Sequence, residues 1–192
     1  MRPVIYSMGV SLDGYIAGPD GGDWGVPDAE LHRFHNEQTR ELGIHLLGRR
    51  LYEVMVFWET AEEQHSAADA SLSELDAAQL EFARIWKQLP KVVFSKTLTA
   101  VEGNARLADA DPVQTVRTLK EEDGGPIAVG GAELAATLTA QQLIDEYHLF
   151  FYPVALGGGK PFFAGPGRVD LELLETRTFS DRVVYLRYRK TS

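Results

Sequence analysis

Basic and hydroxyl residues follow two short apolar segments of this sequence. Gly48-Arg49-Arg50 comes directly after His45-Leu46-Leu47, and Ser95-Lys96-Thr97 comes after Lys91-Val92-Val93-Phe94. Hydroxyl, ammonium and guanidinium groups at such turns can donate hydrogen bonds to phosphate oxygens. Two arginines in the first turn of a helix also oppose the helix dipole, and a bound anion would remove that penalty. We interpret the two turns together as phosphate contacts, although each taken alone is also consistent with an ordinary solvated turn.

The pair Gly130-Gly131 lies between the apolar segment 126–129 and a predicted helix. Glycine permits positive φ and close approach of a ligand, and a helix N-terminus offers N–H groups to a pyrophosphate. A tight strand-to-helix turn is the alternative explanation. The spacing is not the G-x-G-x-x-G of Rossmann domains, and no acidic residue follows at the distance that reads a ribose. Arginines without such a carboxylate favour a 2′-phosphate, and hence NADPH over NADH.

A further glycine-rich segment, Gly157-Gly158-Gly159-Lys160, follows an aromatic apolar stretch. It is not a Walker A motif, because Val154 stands where the first glycine belongs and Pro161 where a serine or threonine would bind magnesium. A glycine loop at the end of a strand could close over a substrate, or it could be an ordinary flexible loop.

The elements that must position these residues alternate between strand and helix. Strands are predicted at 4–10, 45–48, 91–95, 126–129 and 146–156, and helices at 28–42, 49–55, 72–89, 111–119 and 132–138. Short apolar strands separated by helices predict a mostly parallel sheet covered on both faces. The last twenty or so residues predict two antiparallel strands joined near Ser180-Asp181. Ligands of such sheets bind at the C-terminal ends of the strands, where the glycine and basic residues lie.

Two of the predicted helices carry specific expectations. Asp28 is a candidate N-cap of the first helix. His32 and His35 lie one turn apart on that helix, and without a third ligand we expect a solvated face and no metal site. The apolar positions expected in the helix over 72–89 are Leu75, Leu80, Ile85 and Leu89.

The composition limits the class of protein. The 192 residues include 19 basic and 28 acidic side chains, for a net charge of −9, and no cysteine. A scattered minority of basic residues argues against nucleic-acid binding. No apolar run approaches the ~20 residues that span a bilayer, and the N-terminus shows no signal peptide. We therefore expect one cytoplasmic domain over residues 1–192, without a nucleic-acid or membrane partner.

Five motifs, in this order, resemble the dihydrofolate-reductase-like superfamily. Within it, the chain is most similar to the reductase (C-terminal) domain of the riboflavin-biosynthesis deaminase/reductase, over nearly its whole length. The motifs are Ser11-Leu12-Asp13-Gly14-Tyr15-Ile16-Ala17, Leu47-Gly48-Arg49-Arg50 with Tyr52-Glu53, Val93-Phe94-Ser95-Lys96-Thr97, Val129-Gly130-Gly131-Ala132-Glu133, and Pro153-Val154-Ala155-Leu156-Gly157-Gly158-Gly159.

The resemblance implies a three-layer α/β fold with a mostly parallel central sheet, an antiparallel C-terminal hairpin and helices on both faces. It also implies a homodimer and NADPH bound across the carboxyl edge of the sheet. Arg49, Arg50, Ser95 and Lys96 would surround the adenosine phosphates, and Gly130 and its neighbours the pyrophosphate and nicotinamide. The full set of expected cofactor contacts is Ala17, Gly48, Arg49, Arg50, Ser95, Lys96, Thr97, Gly130, Gly131, Ala132 and Glu133.

The implied activity is hydride transfer from NADPH to a small pyrimidine-, pterin- or flavin-like ring. Asp13 and Asp28 are candidates to polarise or protonate the substrate, although Asp13 could instead brace a glycine loop and Asp28 could cap its helix. The expected substrate contacts are Trp24, Trp58, Tyr152, Leu156 and Gly157. The riboflavin enzyme has a basic residue where this chain has Tyr6-Ser7-Met8-Gly9, which weakens the case for a phosphoribosyl substrate. The alternatives are a non-catalytic nucleotide-binding or sensing protein and a true dihydrofolate reductase.

Overall fold

The computed structural model describes residues 1–21, 24–64, 72–165 and 167–191. The strands are β1 (Val4–Ser11), β2 (Tyr15–Ala17), β3 (Ile44–Gly48), β4 (Lys91–Phe94), β5 (Ala105–Leu107), β6 (Ile127–Gly130), β7 (Glu146–Tyr152), β8 (Lys160–Pro161), β9 (Leu171–Thr178) and β10 (Val184–Lys190). The α-helices are α1 (Ala29–Glu41), α2 (Arg49–Met55), α3 (Ala61–Gln64), α4 (Glu74–Gln88), α5 (Pro112–Glu121) and α6 (Ala132–Ala140), and a 3-10 turn spans Val56–Glu59.

The central sheet has eight strands in the order β5-β4-β3-β6-β1-β7-β10-β9. The six strands from β5 to β7 are parallel, whereas β10 is antiparallel to both β7 and β9. This confirms the mostly parallel sheet and its antiparallel C-terminal hairpin. The short strands β2 and β8 form a separate antiparallel pair, which the sequence did not predict. Strands this short carry too little periodicity to be recognised.

Helices cover both faces of the sheet, as predicted. Alternate side chains of β1 point to opposite faces, so Val4 and Tyr6 pack in one core with Val116 of α5 and Leu138 of α6. On the opposite face, Leu47 packs with Phe82 and Trp86 of α4, and Leu31 of α1 packs with Phe150 and Tyr185.

The predicted N-cap of α1 is confirmed, whereas the buried positions predicted for α4 are only partly correct. The Oδ1 atom of Asp28 accepts a hydrogen bond of 2.9 Å from the Leu31 N–H, which confirms it as the N-cap of α1. The apolar stripe predicted for α4 was wrong in part: Leu89 is buried, but the buried positions within the helix are Ala78, Phe82, Ala83 and Trp86. Within the described residues, no helix has the length and apolar character needed to cross a membrane.

Candidate active site at the carboxyl edge of the sheet

Three neighbouring strands bring most of the predicted cofactor residues to one edge. Strand β3 lies between β4 and β6, and its register pairs Leu47 with Gly130 and Gly48 with Phe94. The segments that follow these three strands, 48–50, 95–97 and 130–133, therefore lie side by side. This is the place where open α/β sheets bind their ligands.

The two adjacent glycines at the end of β6 have different roles. Gly131 has a φ of 103°, and a Cβ added there would meet only backbone of Gly48 within 4 Å, the nearest atom at 3.9 Å. A Cβ on Gly130 would instead clash with Leu51 and lie 3.0 Å from the Nε2 of His45. Gly131 thus leaves backbone open at the N-terminus of α6, while Gly130 is required by packing. The open space that a close approach requires is present at Gly131 and absent at Gly130, and the cofactor contact of both glycines stays a prediction.

Cationic side chains outnumber anionic ones at this edge. Arg49 is exposed and pairs with Glu53 at 2.8 Å, an ordinary one-turn ion pair on α2. Glu133, in the first turn of α6, pairs with Lys160 at 2.8 Å. That hydrogen bond is the main cause that lowers the pKa of Glu133, and Arg50 and Arg49 lower it further. The Glu133 carboxylate is therefore ionised at neutral pH, and Arg49 and Arg50 lie near enough to stabilise its negative charge.

The remaining predicted cofactor residues surround the same edge. The Ser95 Oγ accepts hydrogen bonds from the Thr97 and Leu98 N–H groups and lies 3.4 Å from the Thr97 hydroxyl, so the Ser95 hydroxyl orders its turn. Ala17 pairs with Lys160 between β2 and β8. Lys160 in turn binds Glu133, so the small sheet lies beside the start of α6, where Ala132 is buried.

Asp13 connects two loops at the next part of the edge. Its carboxylate accepts hydrogen bonds from the Ser11 hydroxyl at 2.6 Å and from the Leu156 and Gly157 N–H groups at 3.0 and 2.7 Å. These bonds, with that of Ser11 the largest cause, lower the pKa of Asp13 to about 2. An ionised carboxylate with three donors has no proton to give. The structure places Asp13 as an anchor for the loop that carries Leu156 and Gly157.

Asp28 is occupied by two local hydrogen bonds. Its Oδ1 caps α1, and its Oδ2 accepts a hydrogen bond of 2.7 Å from the Ser180 hydroxyl, in the turn between β9 and β10. Among the described residues, Pro27 contributes to the wall of the cavity described below and Asp28 does not. The structure thus shows the capping role, and the polarising role of Asp28 stays a prediction.

A cavity of about 590 Å³ lies between α1 and the sheet. It exists because the two central strands carry small residues on this face, namely Ser7 and Gly9 on β1 and Ala128 on β6. Leu51 lies on the wall of the cavity and also packs against Gly130. Leu51 thus lies between the cavity and Gly130 at the end of β6.

The predicted substrate aromatics lie at or near this cavity. Trp58 forms part of its wall. Trp24 and Tyr152 contact each other edge to face with ring centroids 5.5 Å apart. A Cβ on Gly9 would lie 3.2 Å from the Tyr152 ring, so this pair packs beside the residue that lines the cavity.

The cavity wall includes four histidines that were not predicted as site residues, namely His32, His35, His45 and His148. The expectation of a solvated face at His32 and His35 was wrong: His32 is buried, and His35 lies 4.4 Å from Phe150 between ring centroids. Burial first, and then the neighbouring His32, lowers the pKa of His35 to about 4. Burial and then Lys91 lower the pKa of His45 to about 4. Both imidazoles are neutral at pH 7.

The signal that could have indicated this cavity is in β1. A predicted buried strand that carries Ser7 and Gly9 on one face cannot fill the space under a helix. The histidines of α1 face that gap.

Comparisons with known proteins agree with this architecture. The family model described as RibD C-terminal domain matches residues 2–185. The chain is 30% identical over 190 residues to the uncharacterized protein YyaP of Bacillus subtilis (strain 168), covering 97% of this chain and 94% of that protein.

Two solved structures show the shared fold. The first is a diaminohydroxyphosphoribosylaminopyrimidine deaminase/5-amino-6-(5-phosphoribosylamino)uracil reductase from Thermotoga maritima, with a TM-score of 0.67, 18% identity, and coverage of 99% of this chain and 57% of that one. The second is dihydrofolate reductase from Enterococcus faecalis complexed with NADP(H). It has a TM-score of 0.60 and 13% identity, and the match covers 99% of this chain and 97% of that one. The fold is thus that of the dihydrofolate-reductase-like proteins, and the chain belongs to the RibD C-terminal domain family.

Proposed function

We propose that the protein is an NADPH-dependent oxidoreductase that transfers a hydride to a small heterocyclic ring. The observation that carries the proposal is the row of strand ends on β4, β3 and β6, where cationic turns flank the open backbone of Gly131. A cavity large enough for a flat ring lies under α1, on one face of the same sheet. Membership of a family with a reductase among its fold relatives, and the likeness to a dihydrofolate reductase solved with NADP(H), support the same reading.

The residues present fit the cofactor. The φ of 103° at Gly131 and the space where its Cβ would be provide a cradle that a larger side chain would fill. The N–H groups at the start of α6 can then bind a pyrophosphate. Arg49, Arg50 and Lys96 supply positive charge for the remaining phosphates, including a 2′-phosphate.

When bound, NADPH supplies the hydride, and the chain has to hold the substrate against it and exclude water. The cavity walls of Trp58 and Phe82 are apolar, and Ser7 and Gly9 leave room for a ring against β1. Asp13 holds the loop at Leu156 and Gly157 in place without taking part in proton transfer. The proton for the reduced ring must therefore come from another group or from an ordered water.

The proposal is tested with purified protein, NADPH and a panel of pterins, pyrimidines and flavins. Loss of NADPH absorbance that depends on a ring substrate, with one ring reduced per NADPH oxidised, is the expected result. Tight NADPH binding without turnover on any ring would favour the non-catalytic alternative, and turnover with dihydrofolate would identify a dihydrofolate reductase.

We also propose that the protein is a homodimer, as the family resemblance implies. Strand β9 is one of the two outermost strands of the sheet formed by the described residues, and its Leu173 is 51% exposed. A dimer in sedimentation velocity at micromolar concentration is the expected result, and a monomer there would contradict it.

A further inference from the structure

The cavity beneath α1 has walls with uncharged polar groups that lack protein partners. The Nδ1 of His45 is buried without a hydrogen bond. Within the described part of the chain, no hydrogen bond involves the Ser7 hydroxyl or the ring nitrogens of His35, and both residues line the cavity. Buried polar groups in proteins are nearly always paired. Of the three groups, the Nδ1 of His45 is buried, whereas Ser7 and His35 are half-buried on the cavity wall. A ligand in the cavity would supply partners to all three.

These groups are neutral, which limits what they can bind. His35 and His45 are uncharged at pH 7, because burial holds the pKa of each near 4. A neutral imidazole donates with one nitrogen and accepts with the other, and a serine hydroxyl does both. Together they match a ring whose edge carries both donors and acceptors.

The charged residues of the cavity wall are mainly acidic. Glu37, Glu41 and Glu175 are exposed at its margin. Arg187 is the one arginine among the described wall residues, and both its Nε and its Nη2 donate to Glu146, at 2.8 and 3.1 Å. A phosphate group in this cavity would find carboxylates and no unpaired cation, and like charges at close range repel.

The walls are also suited to a flat molecule. Phe150, Phe82 and Trp58 line the cavity together with the small residues of the central strands. Aromatic side chains bind planar rings by stacking or by edge-to-face contact.

We propose that this cavity selects an uncharged aromatic heterocycle with hydrogen-bonding atoms on its edge, that it rejects phosphorylated rings, and that Ser7, His35 and His45 are the specificity-determining contacts. Since the ring is the substrate of the proposed reductase, this inference rests on the proposed function. The substrate class inferred here differs from that of an enzyme that acts on a phosphoribosyl compound.

The test compares matched neutral rings and phosphate monoesters by calorimetric titration of the full chain, with and without saturating NADPH. The pairs are riboflavin with FMN and uridine with UMP. At least one neutral member is expected to bind, and its ester to bind at least about tenfold more weakly. Equal or tighter binding of the ester, or no binding of either neutral member, would overturn the inference. NADPH titrated alone tests the proposed function separately, because the ring preference can be measured without it.

Variants locate the selectivity within the cavity. Ser7→Ala and His35→Phe keep the packing. Each is expected to raise the Kd of the neutral ring about two- to tenfold, which corresponds to the loss of one neutral hydrogen bond. Glu37→Gln combined with Glu175→Gln should reduce the discrimination against the ester about three- to tenfold. Glu121→Gln, on the exposed side of α5, is the matched control and should change neither. Unchanged binding in both Ser7→Ala and His35→Phe would remove these residues from the site.

Discussion

The carboxylate of Asp13 accepts a hydrogen bond of 2.7 Å from the Gly157 N–H, and so joins the loop after β1 to the loop after β7 across 144 positions of sequence. The bond gives Asp13 of the 11–17 motif a structural role, because it fixes a glycine loop at the edge of the candidate site. The hydrogen bond from the Ser11 hydroxyl, followed by those from the Leu156 and Gly157 N–H groups, lowers the pKa of Asp13 to about 2, so this residue stays ionised wherever the protein would be assayed.

Replacement of this anchor should affect binding and leave proton transfer unchanged. In Asp13→Ala, the Leu156 and Gly157 amides lose their acceptor, so hydrogen exchange at both amides should rise and the KM for NADPH or the ring should increase. The pH profile of kcat between pH 5 and 8 should keep its shape, because Asp13 does not titrate there. A lost acidic or basic limb in that profile would instead make Asp13 a proton-transfer group.

The two glycines at the end of β6 provide a matched pair of variants. Gly131→Ala should abolish measurable NADPH binding, since the methyl group enters the open cradle, and the positive φ should cost about 1–3 kcal/mol of unfolding free energy. Gly130→Ala should destabilise the protein through the clash with Leu51, with or without cofactor. Thermal unfolding and NADPH titration of both variants check this. Normal NADPH affinity in a folded Gly131→Ala would show that the cofactor does not approach that backbone.

We expect the arginines at the start of α2 to bind the 2′-phosphate of NADPH. Arg49→Ala combined with Arg50→Ala should raise the Kd for NADPH about tenfold more than the Kd for NADH, because only the former carries that charge. Arg117→Ala, an exposed arginine on α5, is the control. Equal effects of the double variant on the two cofactors would show that these arginines do not distinguish them.

The cavity histidines should make the protein less stable in acid. Between the ordinary pKa of 6.5 and the folded value of about 4, the unfolded chain binds protons at His35 and His45 and the folded chain does not. The free energy of unfolding therefore falls as the pH decreases through this range. Below pH 4, protonation of Asp13 and Glu146, each with a folded pKa of about 2, continues the decrease.

Urea denaturation at pH 7, 6, 5 and 4.5 measures this slope. The variant His35→Gln with His45→Gln should show a clearly flatter dependence between pH 6.5 and 4.5 than the unchanged protein. An identical slope in both proteins would mean that other groups cause it.

The fold and the edge of the site could be predicted because their signals are local. In strand ends such as Gly48-Arg49-Arg50 and Gly130-Gly131, the residues that could bind phosphate are adjacent in the sequence. A parallel sheet then brings the carboxyl ends of all its strands to one edge. The cap at Asp28 depends only on the first turn of its helix.

Ser7 and Gly9 on one face of β1 indicate a gap, but the wall of the cavity could not be predicted because it depends on the packing of distant elements. Ser7 and Ala128 become a gap only when β1 and β6 pair and α1 lies over them. His32 and His35 are then buried where a helix considered alone would leave them solvated. The apolar stripe predicted for α4 was wrong in part for a related reason, since Phe82 and Trp86 are buried whereas Leu75 and Leu80 are only half-buried.

The most direct measurement is a calorimetric titration of the purified protein with NADPH and, in parallel, with NADH. We expect saturable NADPH binding at one site per chain, with NADH bound at least about tenfold more weakly. No heat and no change in tryptophan fluorescence on addition of NADPH would contradict the central claim that these strand ends form a dinucleotide site.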